Sequence, residues 1–387
     1  MKNPTVNTTN SASHPRYRST WAEIDLKAIV HNYKQVKKLV GKETKVMAVV
    51  KANAYGHGTV EVSKTLEGLG VSYLGVATMD EAVRLRDHGI KTPILVLGSV
   101  LPDEVHAAVE NNITLTLASD ELLNAIRSEV KGRGPEARVK IHIKIDTGMG
   151  RIGIWHEDAL NFIKNLAVDR HIVIEGIYTH FSAAGHDNFF TNYQIESFEK
   201  LLAKLDGFDV RIPLKHSANS IATVDFKRSH LNLVRPGLVI YGMYPKYTFP
   251  KLIKLKPAMS LKTRIVYIKD TPPGRSISYG RSYVTGKHTR IATLPIGYAD
   301  GYLRGLSNKA YVLVRGKKAP VVGRVTMDQT MIDVGNIRKA SVGDEVVLIG
   351  CQGREEIRAE KLARLAGTIA YELVSLISNR VPRVYKK

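Results

Sequence analysis

The sequence predicts an α/β protein in which an N-terminal (β/α)8 barrel of the TIM type precedes a C-terminal all-β domain. Eight apolar β-type segments alternate with amphipathic segments over the first two thirds of the chain. From about Met259, short β-type segments follow one another with Gly/Pro turns and no helices between them. The chain has 387 residues, whereas single cores stop growing near ~250–300 residues. Two domains are therefore expected.

The first eight β-type segments are nearly continuous apolar runs, as expected where a parallel sheet is buried on both faces. Between them, apolar residues recur every three or four positions, as in "MDEAVRLRDHGI" and "DELLNAIRSEV". This spacing predicts helices, several of which open on capping-type residues such as Asp80 and Asp120. A doubly wound open sheet is the alternative, but the count of eight and the absence of a Gly-rich fingerprint after the first strand favour the barrel. The segments span residues 45–50, 73–78, 93–98, 114–119, 139–145, 172–181, 213–219 and 233–242.

The later segments predict a separate β domain. They include "RIVYIKD", "TRIATLPIG", "YVLVRG", "APVVGRV", "TMIDVG" and "DEVVLIG", and a helical segment interrupted by Gly367 closes the chain. The polar stretch "KYTFPKLIKLKPAMS" marks the boundary. We expect a polar arm over 1–20, the barrel over 21–257 and the mainly β domain over 258–387.

Composition narrows the function classes. No run approaches the ~20 apolar residues that a membrane span needs, and the N-terminus lacks the apolar region of a signal peptide. Cys351 is the single cysteine, so no internal disulfide can form and a cytoplasmic location is expected. The formal charge of +21 raises the alternative of nucleic-acid binding. Because the basic residues are scattered, with no zinc spacing and no helix-turn-helix pattern, a basic surface that attracts small anions is favoured, without nucleic acid, membrane or metal partners.

Polar residues fall where five predicted strands end, and in β/α barrels the chemistry lies at the carboxyl ends of the strands. Singly, each is typical of ordinary structure: a lysine that ends a strand is usually a solvated cap. Together they are hard to explain by packing. They are Lys51 after strand 1, Arg151 after strand 5, His180 at the end of strand 6, Ser220 after strand 7, and Arg235 and Gly237 in strand 8.

This set indicates a cofactor. A partly desolvated lysine has a lowered pKa and can form a Schiff base. Ser220 and the Gly237–Leu238 backbone occupy the position where this fold usually binds phosphate, and glycine lets an oxyanion approach backbone N–H groups. A Schiff-base lysine beside a phosphate cradle predicts pyridoxal 5'-phosphate.

From about Thr20 to the C-terminus, the sequence resembles the alanine racemase family of fold-type III pyridoxal-phosphate enzymes. The resemblance rests on motifs in the family's order: "AVVKANAYGHG", "KIDTGMGRIG", "YTHF", "HSANS", "VRPGLVIYG", "SISYG", "PIGYADG", "VGRVTMDQ" and "AGTIAYELVS". It implies racemisation of alanine, which supplies D-alanine for peptidoglycan.

The resemblance also implies roles for individual residues. Lys51 holds the cofactor and acts as one base, while Tyr279 of the partner subunit in a homodimer acts as the second base. His180 and Arg235 support that tyrosine, and Arg235 also faces the pyridine nitrogen. The phosphate contacts are Tyr55, Ser220, Gly237, Leu238 and Tyr371.

Further implied roles concern the substrate and the entrance. Arg151 holds the cofactor's phenolic oxygen and, with the Met327 backbone N–H, the substrate carboxylate. Lys144 matches a position that is carbamylated in some relatives, and Tyr298 reaches the entrance from the partner subunit.

Alternatives remain at this point. Thr326 and Ala370 depart from the common cysteine and asparagine of the family, which leaves substrate breadth open. A serine or broad-specificity racemase is the nearest alternative. A fold-type III decarboxylase is disfavoured by Arg235 and by the position of Cys351, and a non-enzymatic pyridoxal-phosphate protein would lack the β domain.

Overall fold

A computed structural model describes residues 17–134, 136–246 and 248–387. Most of the predicted arm lies outside these residues. The chain forms two compact units. The barrel unit is Lys27–Lys256, and the β unit combines the segment up to Leu26 with Pro257–Lys387.

Eleven α-helical segments, in addition to short 3₁₀ turns, lie in the described residues. They are α1 (Leu26–Val40), α2 (Lys51–Tyr55), α3 (Thr59–Glu67), α4 (Met79–Asp87), α5 (Val105–Glu110), α6 (Asp120–Lys131), α7 (Ala159–Ala167), α8 (Asn188–Gly207), α9 (Ser220–Asp225), α10 (Ala359–Ala366) and α11 (Ala370–Ser375).

Twenty-one strands lie in the same residues. They are β1 (Trp21–Asp25), β2 (Lys45–Val49), β3 (Tyr73–Val76), β4 (Ile94–Val96), β5 (Leu115–Leu117), β6 (Val139–Asp146), β7 (Ile154–Trp155), β8 (Ile172–Tyr178), β9 (Leu214–His216), β10 (Leu233–Val234), β11 (Met259–Arg264), β12 (Tyr267–Thr271), β13 (Ser276–Ile277), β14 (Tyr283–Val284), β15 (Thr289–Leu294), β16 (Tyr311–Val314), β17 (Lys317–Pro320), β18 (Thr330–Asp333), β19 (Glu345–Gln352), β20 (Glu355–Ile357) and β21 (Arg383–Lys386).

In the barrel unit, the eight predicted strands form two parallel sheets with the orders β10-β2-β3-β4 and β5-β6-β8-β9. The sheets join at both edges. A bridge links Leu95 of β4 to Thr114, and the Arg235 N–H donates to the Ala218 carbonyl at 2.9 Å after β10 and β9. The ring is therefore closed, and the predicted (β/α)8 fold is confirmed.

The last barrel strand is much shorter than predicted. The sequence pattern predicts a strand over 233–242, whereas β10 ends at Val234 and residues Leu238–Tyr241 form a 3₁₀ turn. Pro236 has no N–H to donate to a ladder, which explains the early end of the strand. As a result, Arg235 and Gly237 lie in the loop at the carboxyl end of the barrel.

Tyrosine and aliphatic side chains fill the barrel interior. The cluster contains Met47, Tyr73, Leu95, Tyr178, Leu214 and Leu233. The polar side chains buried in the barrel unit include His142, Lys144, His216 and Arg235. Strands β6 and β9 thus direct charged and imidazole groups inward, where they need internal partners.

In the β unit, one sheet has the strand order β17-β16-β19-β11-β1-β21, and β20 pairs with β19. A second sheet has the order β12-β15-β18, and β13 pairs with β14. Strand β1 is antiparallel to β11 and parallel to β21. The sequence boundary at residue 21 assigned β1 to the barrel, whereas the structure places it in this sheet. Both partners of β1 lie more than 200 residues along the chain, so local periodicity carries no sign of the pairing.

The C-terminal helical segment forms α10 and α11, and Gly367 ends α10 with φ of 77°. Among the described residues, no helix combines the length and the apolar character required to cross a membrane.

Candidate functional site

Lys51 lies at the carboxyl end of β2, directly before a left-handed turn. The four residues that follow it, Ala52 to Tyr55, have φ between 52° and 54°. The Ala54 N–H donates to the Val50 carbonyl at 2.9 Å within this turn. Left-handed backbone costs L-residues roughly 1–2 kcal/mol each, and such strain is concentrated at functional sites. The turn thus places the partly buried Lys51 at the mouth of the barrel.

The charge state of Lys51 is shifted by its surroundings. Burial, followed by the positive charge of Arg151, lowers the pKa of the Lys51 ammonium, while Glu81 opposes the shift. A lowered pKa increases the fraction of free amine, which is the nucleophilic form.

Arg235 is fully buried and donates in several directions. One guanidinium nitrogen donates to the Thr179 carbonyl at 2.7 Å and to the Ser217 carbonyl at 3.1 Å, and lies 3.4 Å from Nδ1 of His180. The other donates to Nδ1 of His216 at 2.8 Å. Guanidinium has no acceptor, so each facing imidazole nitrogen must accept, which leaves both histidines neutral with the proton on Nε2.

The chain of imidazoles continues from His216 to His142. Nε2 of His216 lies 2.7 Å from Nδ1 of His142, so His142 also carries its proton on Nε2. Burial and the charge of Arg235 lower the pKa of His142 to about 3 and hold that of His216 well below its usual value. Burial lowers the pKa of Arg235 to about 10, so the guanidinium stays charged near neutral pH. The network therefore carries one positive charge supported by neutral acceptors.

Lys144 lies two residues after His142 on β6 and points the same way. Its Nζ is buried and has no hydrogen-bond partner among the residues that the structure describes. It lies 4.7 Å from the ring centroid of Tyr178. Burial, followed by Arg235, lowers the pKa of Lys144 well below its usual value, while Asp146 opposes the shift. Lys144 is thus a buried amine that favours the neutral form.

Arg151 follows β6 in a loop that Asp146 organises. The Asp146 carboxylate accepts hydrogen bonds from the N–H groups of Gly148 and Met149, each at 2.8 Å, and from that of Arg151 at 3.2 Å. Burial alone would raise the pKa of Asp146, but these donors lower it. The loop therefore presents the exposed Arg151 side chain beside the carboxyl ends of the strands.

Ser220 and Gly237 come together after β9 and β10. The Gly237 N–H donates to Oγ of Ser220 at 2.8 Å. A Cβ atom on Gly237 would lie 2.5 Å from the Tyr55 hydroxyl, so only glycine lets this hydroxyl approach the backbone so closely. Two hydroxyls and a backbone N–H around a glycine fit a phosphate-type anion, and Leu238 follows directly in the chain.

The other predicted residues lie in the β unit. Tyr279, Tyr298 and Met327 are 73%, 42% and 54% exposed. Tyr371 lies in α11, and burial raises the pKa of its hydroxyl to about 12.

The loops that carry Tyr298 and Met327 are joined through their backbones. The Tyr298 N–H donates to the Thr326 carbonyl and the Ala299 N–H to the Met327 carbonyl, each at 3.0 Å. A Cβ atom on Gly297 would lie 2.2 Å from the Thr326 carbonyl oxygen. The backbones at Tyr298 and Met327 are therefore held next to each other.

A buried carboxylate supports these loops. Asp300 is fully buried, accepts the Gly297 N–H at 3.0 Å and pairs with Arg18 at 2.5 Å. Arg380 lies 3.6 Å from Asp300 and 2.7 Å from Asp328, which follows Met327. The sequence pattern "GYADG" predicts a turn but not this ion-pair network.

Sequence reasoning missed several residues of the barrel network. They are His142, His216, Glu81 and the loop-organising Asp146. A signal existed for one of them, because "VKIHIKI" places His142 and Lys144 on one face of a buried strand. The partners of these groups could not be inferred.

The sequence of this chain was compared with those of known protein families and with individual relatives. A sequence model described as "Alanine racemase, N-terminal domain" matches residues 24–245, and one described as "Alanine racemase, C-terminal domain" matches residues 258–385. The alanine racemase of Halothermothrix orenii is 48% identical over 373 residues, covering 95% of this chain and 97% of that protein. That of Methanococcus maripaludis is 47% identical over 376 residues, covering 96% and 99%.

A solved structure gives the same result. The alanine racemase of Bacillus anthracis with bound L-Ala-P superposes with a TM-score of 0.89 at 41% identity, covering 97% of this chain and 96% of that chain. The predicted resemblance is confirmed, and the chain belongs to the alanine racemase family.

Proposed function

We propose that this chain is a pyridoxal 5'-phosphate-dependent racemase that interconverts L-alanine and D-alanine, as supply for peptidoglycan synthesis. The observation that carries the proposal is Lys51, an amine of lowered pKa held by a left-handed turn at the barrel mouth. Solved relatives bind alanine-like ligands: the Bacillus anthracis structure holds L-Ala-P and a Clostridium difficile 630 structure holds cycloserine.

The residues present fit the cofactor. The close approach of the Tyr55 hydroxyl to Gly237, beside the hydroxyl of Ser220, suits a phosphate. The Leu238 backbone and Tyr371 are the remaining proposed phosphate contacts, and Arg151 would hold the phenolic oxygen. When bound, the cofactor withdraws electrons from the α-carbon of an attached amino acid and makes its α-hydrogen acidic.

Two bases on opposite sides are needed to invert a carbon centre. The free amine of Lys51 removes or returns the hydrogen on one side, and the hydroxyl of Tyr279 of the partner subunit serves the other side. A phenol has an ordinary pKa near ~10, so its deprotonated form must be stabilised if it is to act near neutral pH. Nδ1 of His180 faces Arg235, so Nε2 carries the proton, and its N–H is proposed to donate a hydrogen bond that stabilises the phenolate of Tyr279 of the partner subunit.

Arg235 also shapes the chemistry. It has no acceptor and stays charged, so it would disfavour a proton on a pyridine nitrogen held against it. Arg235 would thereby weaken the electron withdrawal that the cofactor supplies and favour rapid return of a hydrogen over side reactions. The buried histidine network keeps this guanidinium in place.

The substrate carboxylate is proposed to bind Arg151 and the backbone N–H of Met327 of the partner subunit, with Tyr298 at the entrance. The exposure of Tyr279, Tyr298 and Met327 in the single chain supports a second copy that covers them. Dimerisation with shared sites is thus part of the proposal.

Lys144 is proposed to be carbamylated. CO2 adds to neutral amines, and burial beside Arg235 favours the neutral amine here. The resulting anion would give Arg151 an acceptor. An intact mass one CO2 higher than the sequence mass is expected, and it should disappear in Lys144→Ala but persist in Lys140→Ala, a solvent-facing lysine of the same strand. An unmodified Lys144 in fully active protein would contradict this role.

Purified protein incubated with pyridoxal phosphate and L-alanine should produce D-alanine, followed by chiral chromatography. L-Serine in a parallel reaction tests the broad-specificity alternative. Release of CO2 without D-alanine would support the decarboxylase alternative and overturn the proposal.

A further inference from the structure

The carboxylate of Glu81 binds the backbone at the ends of two neighbouring strands. One oxygen accepts the Ala52 N–H at 2.6 Å, and the other accepts the Ala77 N–H at 2.8 Å. Ala52 lies just beyond β2 and Ala77 just beyond β3, and these strands are parallel neighbours. The carboxylate therefore links the Lys51 turn to the adjacent strand.

This contact differs from ordinary helix capping. Glu81 is the third residue of α4, and Thr78 caps the helix by accepting the Glu81 N–H. A glutamate at this position usually returns to the N–H of the capping residue. Here it accepts instead from Ala77 and from Ala52, 29 residues away.

The Ala52 N–H takes no part in the backbone hydrogen bonds of the turn and donates to Glu81 instead. The turn's own bonds begin with the Ala54 N–H, which donates to Val50, and continue with the Gly56 N–H, which donates to Ala52. Ala52 is also the first of the four left-handed residues. A charged acceptor at this point stabilises a backbone conformation that alanine otherwise disfavours.

We infer that Glu81 is a positioning residue for Lys51. Its carboxylate holds the left-handed turn in the conformation that presents the lysine to the cofactor. The inference rests on the proposed function only for the role of the lysine. The carboxylate acts through the backbone and does not touch the reacting atoms.

The chain offers a matched control in Glu67. This carboxylate also accepts two consecutive backbone N–H groups, those of Lys91 and Thr92, each at 2.7 Å. These residues precede β4, at the opposite end of the strands from Lys51. A single oxygen, Oε1, accepts both N–H groups. Glu67→Gln therefore removes the charge of a backbone-bound carboxylate away from the site and keeps one acceptor oxygen, whereas Glu81→Gln replaces one of two accepting oxygens with a donor.

The test compares Glu81→Gln and Glu67→Gln in the full chain by amide hydrogen exchange without cofactor. In Glu81→Gln, protection of residues 52–58 should fall at least tenfold, whereas in Glu67→Gln the loss should be confined to residues near 91–92. The dissociation constant for pyridoxal phosphate should rise about tenfold in Glu81→Gln and stay within about twofold in Glu67→Gln. Unchanged protection of 52–58 in Glu81→Gln would overturn the inference.

A rescue variant separates geometry from charge. Glycine adopts positive φ freely, so Ala52→Gly added to Glu81→Gln should recover at least threefold of the lost protection and cofactor affinity. No recovery would mean that Glu81 acts by charge alone, and the positioning role would be wrong. If the unaltered chain forms no covalent adduct at Lys51, the proposed function fails. The exchange data, recorded without cofactor, would still decide whether Glu81 holds the turn.

Discussion

The barrel unit and the β unit carry their predicted functional residues in different ways. In the barrel unit, Arg235 and its histidine neighbours are buried and bound to one another. In the β unit, Tyr279 is 73% exposed and begins a short 3₁₀ turn at the surface. The barrel unit joins most of these groups to one another, although Nε2 of His142 and Nζ of Lys144 have no hydrogen-bond partner among the described residues. The β unit instead presents side chains at its surface. Under the proposed function, a second copy of the chain would cover the exposed side chains of the β unit.

The two units also differ in how they satisfy buried charge. Arg235 has only neutral acceptors around it, whereas Asp300 pairs with Arg18 and lies near Arg380. A buried charge with neutral partners depends on every hydrogen bond, because a lost acceptor leaves it unsatisfied. Asp300 has two arginine neighbours that are partly exposed, so the loss of one of these arginines should cost less than the loss of the buried carboxylate.

The largest expected effects are on the rate of racemisation, and for Tyr279 they come without a matching change in the free energy of unfolding. Lys51→Ala should lower the racemisation rate by at least ~10⁴-fold, and Tyr279→Phe by roughly 10²–10⁴-fold. Because the Tyr279 side chain is exposed, its hydroxyl contributes little to folding, and the free energy of unfolding should change by less than about 0.5 kcal/mol. Turnover assays and urea denaturation measure both. A Tyr279→Phe protein that keeps full activity would remove the tyrosine from the mechanism.

Mixing two inactive variants tests whether the units cooperate across a dimer. If Lys51 and Tyr279 of the partner subunit share a site, random dimers of Lys51→Ala and Tyr279→Phe chains should recover about a quarter of the unaltered activity. Half of the dimers are then mixed, and each mixed dimer has one intact site. If both groups came from one chain, no combination would be active, so the absence of recovery in verified mixed dimers would contradict shared sites.

Within the β unit, the buried member of the ion-pair network should matter most. Asp300→Ala removes the acceptor of Arg18 and of the Gly297 N–H and should lower the free energy of unfolding by about 2–3 kcal/mol. Arg380→Ala, at a half-exposed position, should lower it by less than about 1 kcal/mol. Chemical denaturation of both variants measures the difference. Equal effects would show that Asp300 does not organise these loops.

The buried histidines predict a pH dependence of stability. Burial lowers the pKa values of His142, His180 and His216 in the folded chain, whereas the unfolded chain binds protons below about pH 6.5. Their stabilising contribution is thus present above pH 6.5 and is lost as the pH falls toward the folded values, which for His142 is about 3.

A histidine variant isolates this contribution from that of the carboxylates. Between pH 7 and pH 5, His142→Gln should lose about 2 kcal/mol less free energy of unfolding than the unaltered chain. His186→Gln, at an exposed position, is the control and should leave the loss unchanged. Parallel losses in all three proteins would mean that His142 does not stay neutral when folded.

Much of the fold was predictable because it is local. The eight barrel strands were predicted from apolar runs, and Gly367 was predicted to interrupt the final helical segment, where the structure has it with positive φ. Strand β1 was missed, because "WAEID" is short and its partners Met259–Arg264 and Arg383–Lys386 lie far along the chain. The end of β10 was misjudged because the apolar pattern continues past Pro236 into a 3₁₀ turn.

The candidate site likewise has features that the local sequence predicts and contacts that depend on residues far apart in the chain. The sequence by itself determined the family and the reactive residue types, since a lysine, arginines and a glycine at successive strand ends keep their chemistry wherever the chain runs. Only the tertiary structure decided that His142 supports His216, which supports Arg235, and that Glu81 binds the Lys51 turn. These contacts join strands and loops that meet only when the barrel closes. Periodicity records which face a residue occupies, whereas its partner depends on how distant strands align.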